Sequence, residues 1–246
     1  MPEKEEKRKE FISVVIPAYN ESERILSTIT SIDEYCERRF QCFEIIVVND
    51  GSRDDTREVV LREKEKTASL RYEGYEENSG KGYAVRRGVM VSAGDIILVS
   101  DADLSTPIEE VEKLLAHYDE GCDIIIGSRA LAESDIVVEQ PWWRQFMGKT
   151  FNAFVRSLLY MDFKDTQCGF KLFRGACRKD IFERTSVDRF AYDVEILYLA
   201  RKAGYKIKEV PIRWFNSPDS KVNPVIDSLQ MLKDLIKLRL RNTGRN

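Results

Sequence analysis

Asp101 and Asp103 flank Ala102 directly after the apolar run Ile96-Ile-Leu-Val-Ser100, so two carboxylates leave the end of one strand at positions i and i+2. At that spacing they can share one hard cation, Mg2+ or Mn2+, whose other positions suit the oxygens of a diphosphate. An Asp-x-Asp triplet also serves as an ordinary turn or helix cap; its place at a strand end favours the metal reading. Asn49-Asp-Gly-Ser-Arg-Asp-Asp55 puts Asp50 at the end of another strand, where its carboxylate can accept a hydrogen bond from a nucleobase N–H. The same stretch reads equally as an N-cap cluster with Ser52 or Asp54 as the cap, and the two readings are compatible. Asn78-Ser-Gly-Lys-Gly82 sets glycines around Lys81 before a helix, an arrangement suited to backbone approach to an anion.

Other chemistries are disfavoured. Five residues separate Gly74 from Gly80 where a phosphate loop needs four, and Gly82 stands where that motif needs Ser or Thr. The first helix opens after Pro17-Ala-Tyr-Asn-Glu-Ser22 rather than a glycine-rich dinucleotide turn; Tyr19 there can stack on a base and Glu21 can bind its edge or the ribose. A single histidine, His117, leaves no room for a Ser-His-Asp triad or a histidine-rich metal site. The five cysteines contain no Cys-x-x-Cys pair, which argues against a disulfide framework or structural zinc and fits a reducing, cytosolic compartment. A net charge of −3 gives no reason to expect nucleic acid as a partner. The longest apolar runs, Ile96–Val99 and Ile124–Ile126, fall far short of the roughly 20 residues that span a bilayer, so a soluble or peripheral protein is expected.

The elements that must position these residues alternate along the 246-residue chain. Runs rich in Val and Ile at 11–16, 43–48, 70–72, 95–100 and 123–127 read as strands, and 24–40, 55–65, 81–92 and 107–120 as helices. The pattern predicts an α/β fold with a mostly parallel sheet covered on both faces. Ligands of such sheets bind beyond the carboxyl ends of the strands, where 17–21, 49–52 and 101–105 all fall. Beyond Arg129, Phe151, Phe154, Val155, Leu158 and Leu159 form a helical apolar stripe. A last helix, 224–241, places Val225, Leu229, Leu232 and Ile236 on one face and carries Lys233, Lys237, Arg239 and Arg241. Both helices suit either a membrane surface or a packed core.

Taken together, Val15-Ile-Pro-Ala-Tyr-Asn-Glu21, Val47-Val-Asn-Asp-Gly-Ser52, Asn78-Ser-Gly-Lys-Gly82, Asp101-Ala-Asp-Leu104, Gly127-Ser-Arg129, Asp165-Thr-Gln-Cys-Gly-Phe-Lys-Leu-Phe173, Tyr192-Asp-Val-Glu195 and Ser220-Lys221 run across nearly the whole chain. In these blocks it resembles the inverting family 2 glycosyltransferases of GT-A (Rossmann-like) fold, and within them those that load a hexose onto dolichyl or another polyprenyl phosphate. Asp165 to Phe173 is the most discriminating block. The resemblance implies a GT-A domain over residues 1–215, with an acceptor- or membrane-facing segment at about 130–163, followed by a basic amphipathic helix over 216–246. It also implies that Pro17, Ala18, Tyr19, Glu21, Val48, Asp50, Lys81, Asp101, Ala102 and Asp103 contact the sugar nucleotide. Asp101 and Asp103 would hold Mg2+ or Mn2+, and Arg129, Arg144 and Lys221 would receive the lipid phosphate.

Ser105 stands where mannose-transferring relatives place glutamine, and Trp214-Phe-Asn-Ser-Pro-Asp219 lacks the arginine they carry before the Ser-Lys pair. The resemblance therefore implies transfer of glucose from UDP-glucose with inversion; the alternatives are mannose from GDP-mannose, another UDP-sugar, or a non-catalytic sugar-nucleotide sensor. The membrane segment that eukaryotic glucosyltransferase relatives carry near the N-terminus has no expected counterpart, and the protein is expected on the cytoplasmic face of a membrane as a peripheral protein. A lipid monophosphate is already anionic at neutral pH and needs little help from a base. The expected catalytic residues are Asp103, Arg129 and Asp165. Asp165 or Glu195 could instead serve as base for a hydroxyl acceptor, whereas Asp193 and Glu195 could merely cap their helix or pair towards Arg201.

Overall fold

Ile12 to Ala18 is apolar at nearly every position and buried along its whole length, as a strand covered on both faces requires. In the computed structural model, which describes residues 6–138, 142–216 and 226–243 (side chains at 142–147, 149, 226, 227, 242 and 243 excepted), this segment is the central strand β1. The other strands are β2 (Phe43–Asp50), β3 (Leu70–Tyr75), β4 (Ile96–Val99), β5 (Ile124–Ser128), β6 (Asp135–Val138), β7 (Lys171–Arg174), β8 (Ile207–Pro211) and β9 (Arg213–Phe215). The helices are α1 (Ile25–Arg39), α2 (Thr56–Lys64), α3 (Lys81–Val91), α4 (Val111–Asp119), α5 (Trp142–Leu159), α6 (Cys177–Phe182), α7 (Tyr192–Lys202) and α8 (Ile226–Thr243).

Seven strands form one sheet in the order β3-β2-β1-β4-β7-β5-β8. All neighbours are parallel except β7, which runs antiparallel between β4 and β5. The expected mostly parallel sheet is thus present. Its antiparallel member and β8 carry too few consecutive Val and Ile residues to stand out in the sequence. Successive side chains of β1 enter opposite layers, as the two-residue period of a strand dictates: Ile12, Val14 and Ile16 pack with α1 and α4 on one face, Val15 with α3 and α7 on the other. A small parallel pair, β6 and β9, stands beside the main sheet, and Phe215 N donates to Ser105 O at 2.8 Å, tying β9 to the loop after β4.

The last two long helices differ in detail from the expected apolar faces. In α5, Val155 and Leu159 are buried while Phe154 is exposed. In α8, Met231, Leu235 and Leu238 are buried in the layer that also holds α5 and α7, and Leu229, Ile236 and Leu240 face outward. The packed face lies about one position round the helix from the predicted one, because α8 has apolar residues on both sides and the neighbours choose between them.

Candidate functional site

The loops after β1 and β2 lock together. Asn20 N donates to Ser52 Oγ at 2.9 Å, Arg53 N to Asn20 Oδ1 at 2.8 Å, and Glu21 N to Thr56 Oγ1 at 2.8 Å. Neither Ser52 nor Asp54 caps α2 in the expected way: Asp54 accepts from Thr56 N and reaches across to Ser22 N. Pro17, Ala18 and Val48 are buried at adjacent strand ends, with Pro17 paired to Val48. Tyr19 lies half-buried at the rim, and the Glu21 carboxylate is held by Arg24.

Asp50 ends β2, as expected, with its carboxylate turned to the loop before α3. It is 3 % exposed, and its carboxylate accepts from Ser79 N at 2.7 Å, Gly80 N at 3.0 Å and the Asn78 side chain at 2.8 Å. Its oxygens therefore anchor the loop before α3. Burial pushes the Asp50 carboxyl above its ordinary range, even though those amides favour the charged form. The other side of that loop meets residues 187–189: Gly80 has φ +103, and a Cβ there would lie 2.4 Å from Asp188 O. Tyr83 N also donates to Asp188 O at 3.0 Å. Glu195 in turn accepts from Ser186 N and Val187 N at 2.9 and 2.8 Å and from Ser186 Oγ at 2.9 Å, which holds the clamp in place. Glu195 is thus committed to a loop, not to Arg201 and not to an acceptor hydroxyl.

Lys81 begins α3 on this clamped loop and reaches Asp101, Nζ to Oδ1 at 2.5 Å. Asp101 follows β4 in a turn fixed by Leu104 N donating to Asp101 O at 3.2 Å and by Thr28 Oγ1 of α1 donating to Ala102 O at 2.7 Å. Asp103 Oδ1 accepts from Ser105 N at 2.9 Å. The backbone at Gly169 abuts the Asp101 carboxylate so closely that a Cβ would sit 2.4 Å from Oδ2. Burial alone would raise the Asp101 carboxyl. The adjacent Lys81 charge, reinforced by Lys171 and Arg129, outweighs it and holds the group below the usual carboxylate range.

Two further ion pairs adjoin this centre. Arg129 Nε and Nη2 grip Asp165 at 2.7 and 2.9 Å, and the Arg129 guanidinium lies over the Trp214 ring at 5.5 Å. Asp165 also accepts from Arg129 N at 3.0 Å and Gln167 N at 3.2 Å, so both oxygens are engaged. Burial would raise Asp165, but the Arg129 charge and hydrogen bonds leave it below the ordinary range. Such a carboxylate makes a poor base and a good orienting group. Behind it, Lys171 of β7 pairs with Asp193 of α7 at 2.5 Å, both almost completely buried. Burial here dominates, raising the Asp193 carboxyl against the pull of Lys171 and Lys81.

Lys171, Gly169 and Trp214 were not singled out from sequence. A lysine inside the otherwise apolar run Phe170-Lys-Leu-Phe173 was the available signal. Arg144 lies in α5 with its side chain outside the described residues, and Lys221 lies outside them altogether. Among the described residues no group of three or more His, Cys, Asp or Glu side chains forms a self-sufficient metal cage. Asp101 and Asp103 nevertheless fit a hard cation completed by diphosphate oxygens, since the donors are all oxygen and Asp101 already holds a positive group.

A mostly parallel sheet with helices on both faces, bearing acidic and basic groups beyond its strand ends, suits the GT-A fold among other doubly wound nucleotide-binding folds, and the comparisons select GT-A glycosyltransferases. The chain belongs to glycosyl transferase family 2, whose model matches residues 13–184. It is 37 % identical over 243 residues to a dolichyl-phosphate beta-glucosyltransferase of Dictyostelium discoideum, covering 94 % of this chain and 74 % of that protein. It is 38 % identical to the mouse (Mus musculus) protein of the same name, over 94 % of this chain and 75 % of the relative. Among solved structures it resembles mannosyl-3-phosphoglycerate synthase from Rubrobacter xylanophilus, with TM-score 0.72 and 20 % identity over 96 % of this chain and 76 % of that one. It also resembles glucosyl-3-phosphoglycerate synthase from Mycobacterium tuberculosis in complex with Mn2+ and UDP-glucose, with TM-score 0.65 and 21 % identity over 96 % and 79 % of the two chains.

Proposed function

We propose that the enzyme transfers glucose from UDP-glucose to dolichyl or another polyprenyl phosphate, with inversion, to give a β-linked lipid-phosphate sugar. The observation that carries this reading is the similarity, 37 % over 94 % of the chain, to proteins named for that activity. The site supplies matching parts. Asp101 and Asp103 would hold a divalent cation, Mg2+ or Mn2+, which neutralises charge on the leaving diphosphate when bound. Lys81 adds a positive charge on the same side, and Pro17, Ala18, Tyr19 and Val48 offer the strand ends where a nucleoside can lie.

Arg129, oriented by Asp165 and Trp214, receives the lipid phosphate, with Arg144 and Lys221 as further acceptor contacts. A phosphate oxygen of the lipid then forms a bond to the sugar C1 as the bond from C1 to the diphosphate oxygen breaks and UDP leaves with the electron pair. The acceptor is already an anion, so no side chain has to remove a proton. Asp165 acts by positioning Arg129, which suits its fully engaged oxygens.

Among the described residues no helix is long and apolar enough to cross a membrane. We further propose peripheral contact with the cytoplasmic face of a membrane, supported by exposed Phe154, Tyr160, Leu229, Ile236 and Leu240 on or next to α5 and α8, helices that also carry Lys233, Lys237 and Arg241.

The deciding experiment offers UDP-glucose, GDP-mannose, UDP-GlcNAc and UDP-glucuronate with a short polyprenyl phosphate and Mg2+ or Mn2+, and reads the lipid product by mass spectrometry. Glucosyl-lipid phosphate formed from UDP-glucose is expected. Product from GDP-mannose alone would overturn the donor assignment, and nucleotide release independent of lipid phosphate would overturn the acceptor.

A further inference from the structure

Lys81 has a fixed root and a reachable tip. Its backbone is pinned on one side by the Asp50 carboxylate and on the other by the carbonyls of Val187 and Asp188, which leave no space for a side chain at Gly80 or Gly82. Its side chain keeps 29 % exposure, and its partner Asp101 keeps 33 %. Lysine has a flexible stem and a point charge that can change partners without a required plane. Asp101 has no comparable freedom, because the Gly169 backbone backs directly onto its carboxylate. Three carboxylates, Asp101, Asp193 and Asp103, act on the Lys81 charge, with Asp101 the strongest. Asp193 is already taken by Lys171.

We propose that Lys81 is an exchangeable counter-ion of Asp101: it competes with the divalent cation for that carboxylate and releases it when a nucleoside diphosphate gives the ammonium a new partner. Metal binding then waits on the donor. By linkage, the nucleotide tightens the metal as much as the metal tightens the nucleotide. This rests on the assignment of Asp101 and Asp103 to a metal in the proposed function, and adds to it a coupling device within this chain.

The test is direct Mn2+ binding to the full chain, read by the electron paramagnetic resonance signal of free Mn2+, with and without UDP. In the unaltered protein UDP is expected to tighten Mn2+ by tenfold or more, on the order of the effect of one charge at close range. Lys81→Met is expected to raise the affinity for Mn2+ in the absence of nucleotide by about tenfold and to shrink the gain from UDP. Lys81→Gln serves if the methionine variant folds poorly by circular dichroism. Lys81→Arg, which keeps a cation beside Asp101, should stay within about threefold of the unaltered protein. Asp101→Asn reports whether the measured ion sits at this carboxylate.

If Asp101→Asn loses UDP-dependent Mn2+ binding while Lys81→Met and Lys81→Gln leave nucleotide-free affinity unchanged or weaker, the exchange is overturned and the metal assignment survives. If Asp101→Asn binds Mn2+ as the unaltered protein does, the metal assignment fails and the exchange fails with it.

Discussion

Lys81 with Asp101 and Lys171 with Asp193 are both ammonium–carboxylate contacts of 2.5 Å at neighbouring places in one charge cluster. They differ in access: the first pair is 29 % and 33 % exposed, the second 2 % and 6 %. A sealed pair cannot trade partners without leaving a charge in a low-dielectric interior, so Lys171–Asp193 behaves as part of the frame. The open pair can trade, since water and incoming ligand charges can take over from either partner. The same two residue types thus build a scaffold in one place and a ligand site in the other, and burial makes the difference.

The largest effect should come from the open side. Asp103→Ala is expected to lower turnover by about a thousandfold or more, as does EDTA, because charge on the departing diphosphate is left without its counter-charge. Undiminished turnover in EDTA would erase the functional half of the contrast. On the sealed side, Lys171→Met should cost about 3–5 kcal/mol of stability by leaving Asp193 buried without its cation. Urea denaturation reads that loss. A cost near zero would show that burial is not what separates the two pairs.

Arg129 with Asp165 lies between these extremes, its arginine 32 % and its carboxylate 8 % exposed. Asp165→Asn should lower kcat/KM for polyprenyl phosphate about ten- to hundredfold, mainly through KM, with the pH profile of kcat unmoved. Loss concentrated in kcat, with a shifted acid limb, would restore Asp165 as a base.

The smallest effect is in the pH dependence of stability, where the two buried carboxylates have opposite signs. Asp165 is lowered in the fold, so its pairing stabilises the protein above the ordinary carboxylate value of about 4 and fades as pH falls through the lowered value. Asp193 is raised, so its contribution is complete below about 4 and is lost as pH rises through the raised value. Arg129→Gln should therefore flatten the acid limb of Tm against pH, and Asp193→Asn should remove a stability loss on the rising side. Thermal melts across pH 3 to about 7 check both signs.

The parallel part of the fold was plain in the chain because strands buried on both faces must be continuous runs of Val and Ile, as β1, β2 and β4 are. β7 and β8 were not, since they carry two lysines, an arginine and a glutamate among only nine residues. Likewise, Asp101 and Asp103 could be placed at a strand end from local sequence, whereas the partners of Asp50 could not: the backbone amides of Ser79 and Gly80 complete its hydrogen bonds, and nearly every residue carries such an amide.

Residue order and type were enough to locate the loops beyond the strand ends, the carboxylate pair and the family, because each depends on neighbours a few positions apart. Folding settled which charges are spent on one another. Arg129 meets Asp165 across 36 positions, Lys171 meets Asp193 across 22 and Lys81 meets Asp101 across 20. Whether such a pair seals or stays open depends on how much chain packs over it, a property of the assembled layers that no local spacing encodes.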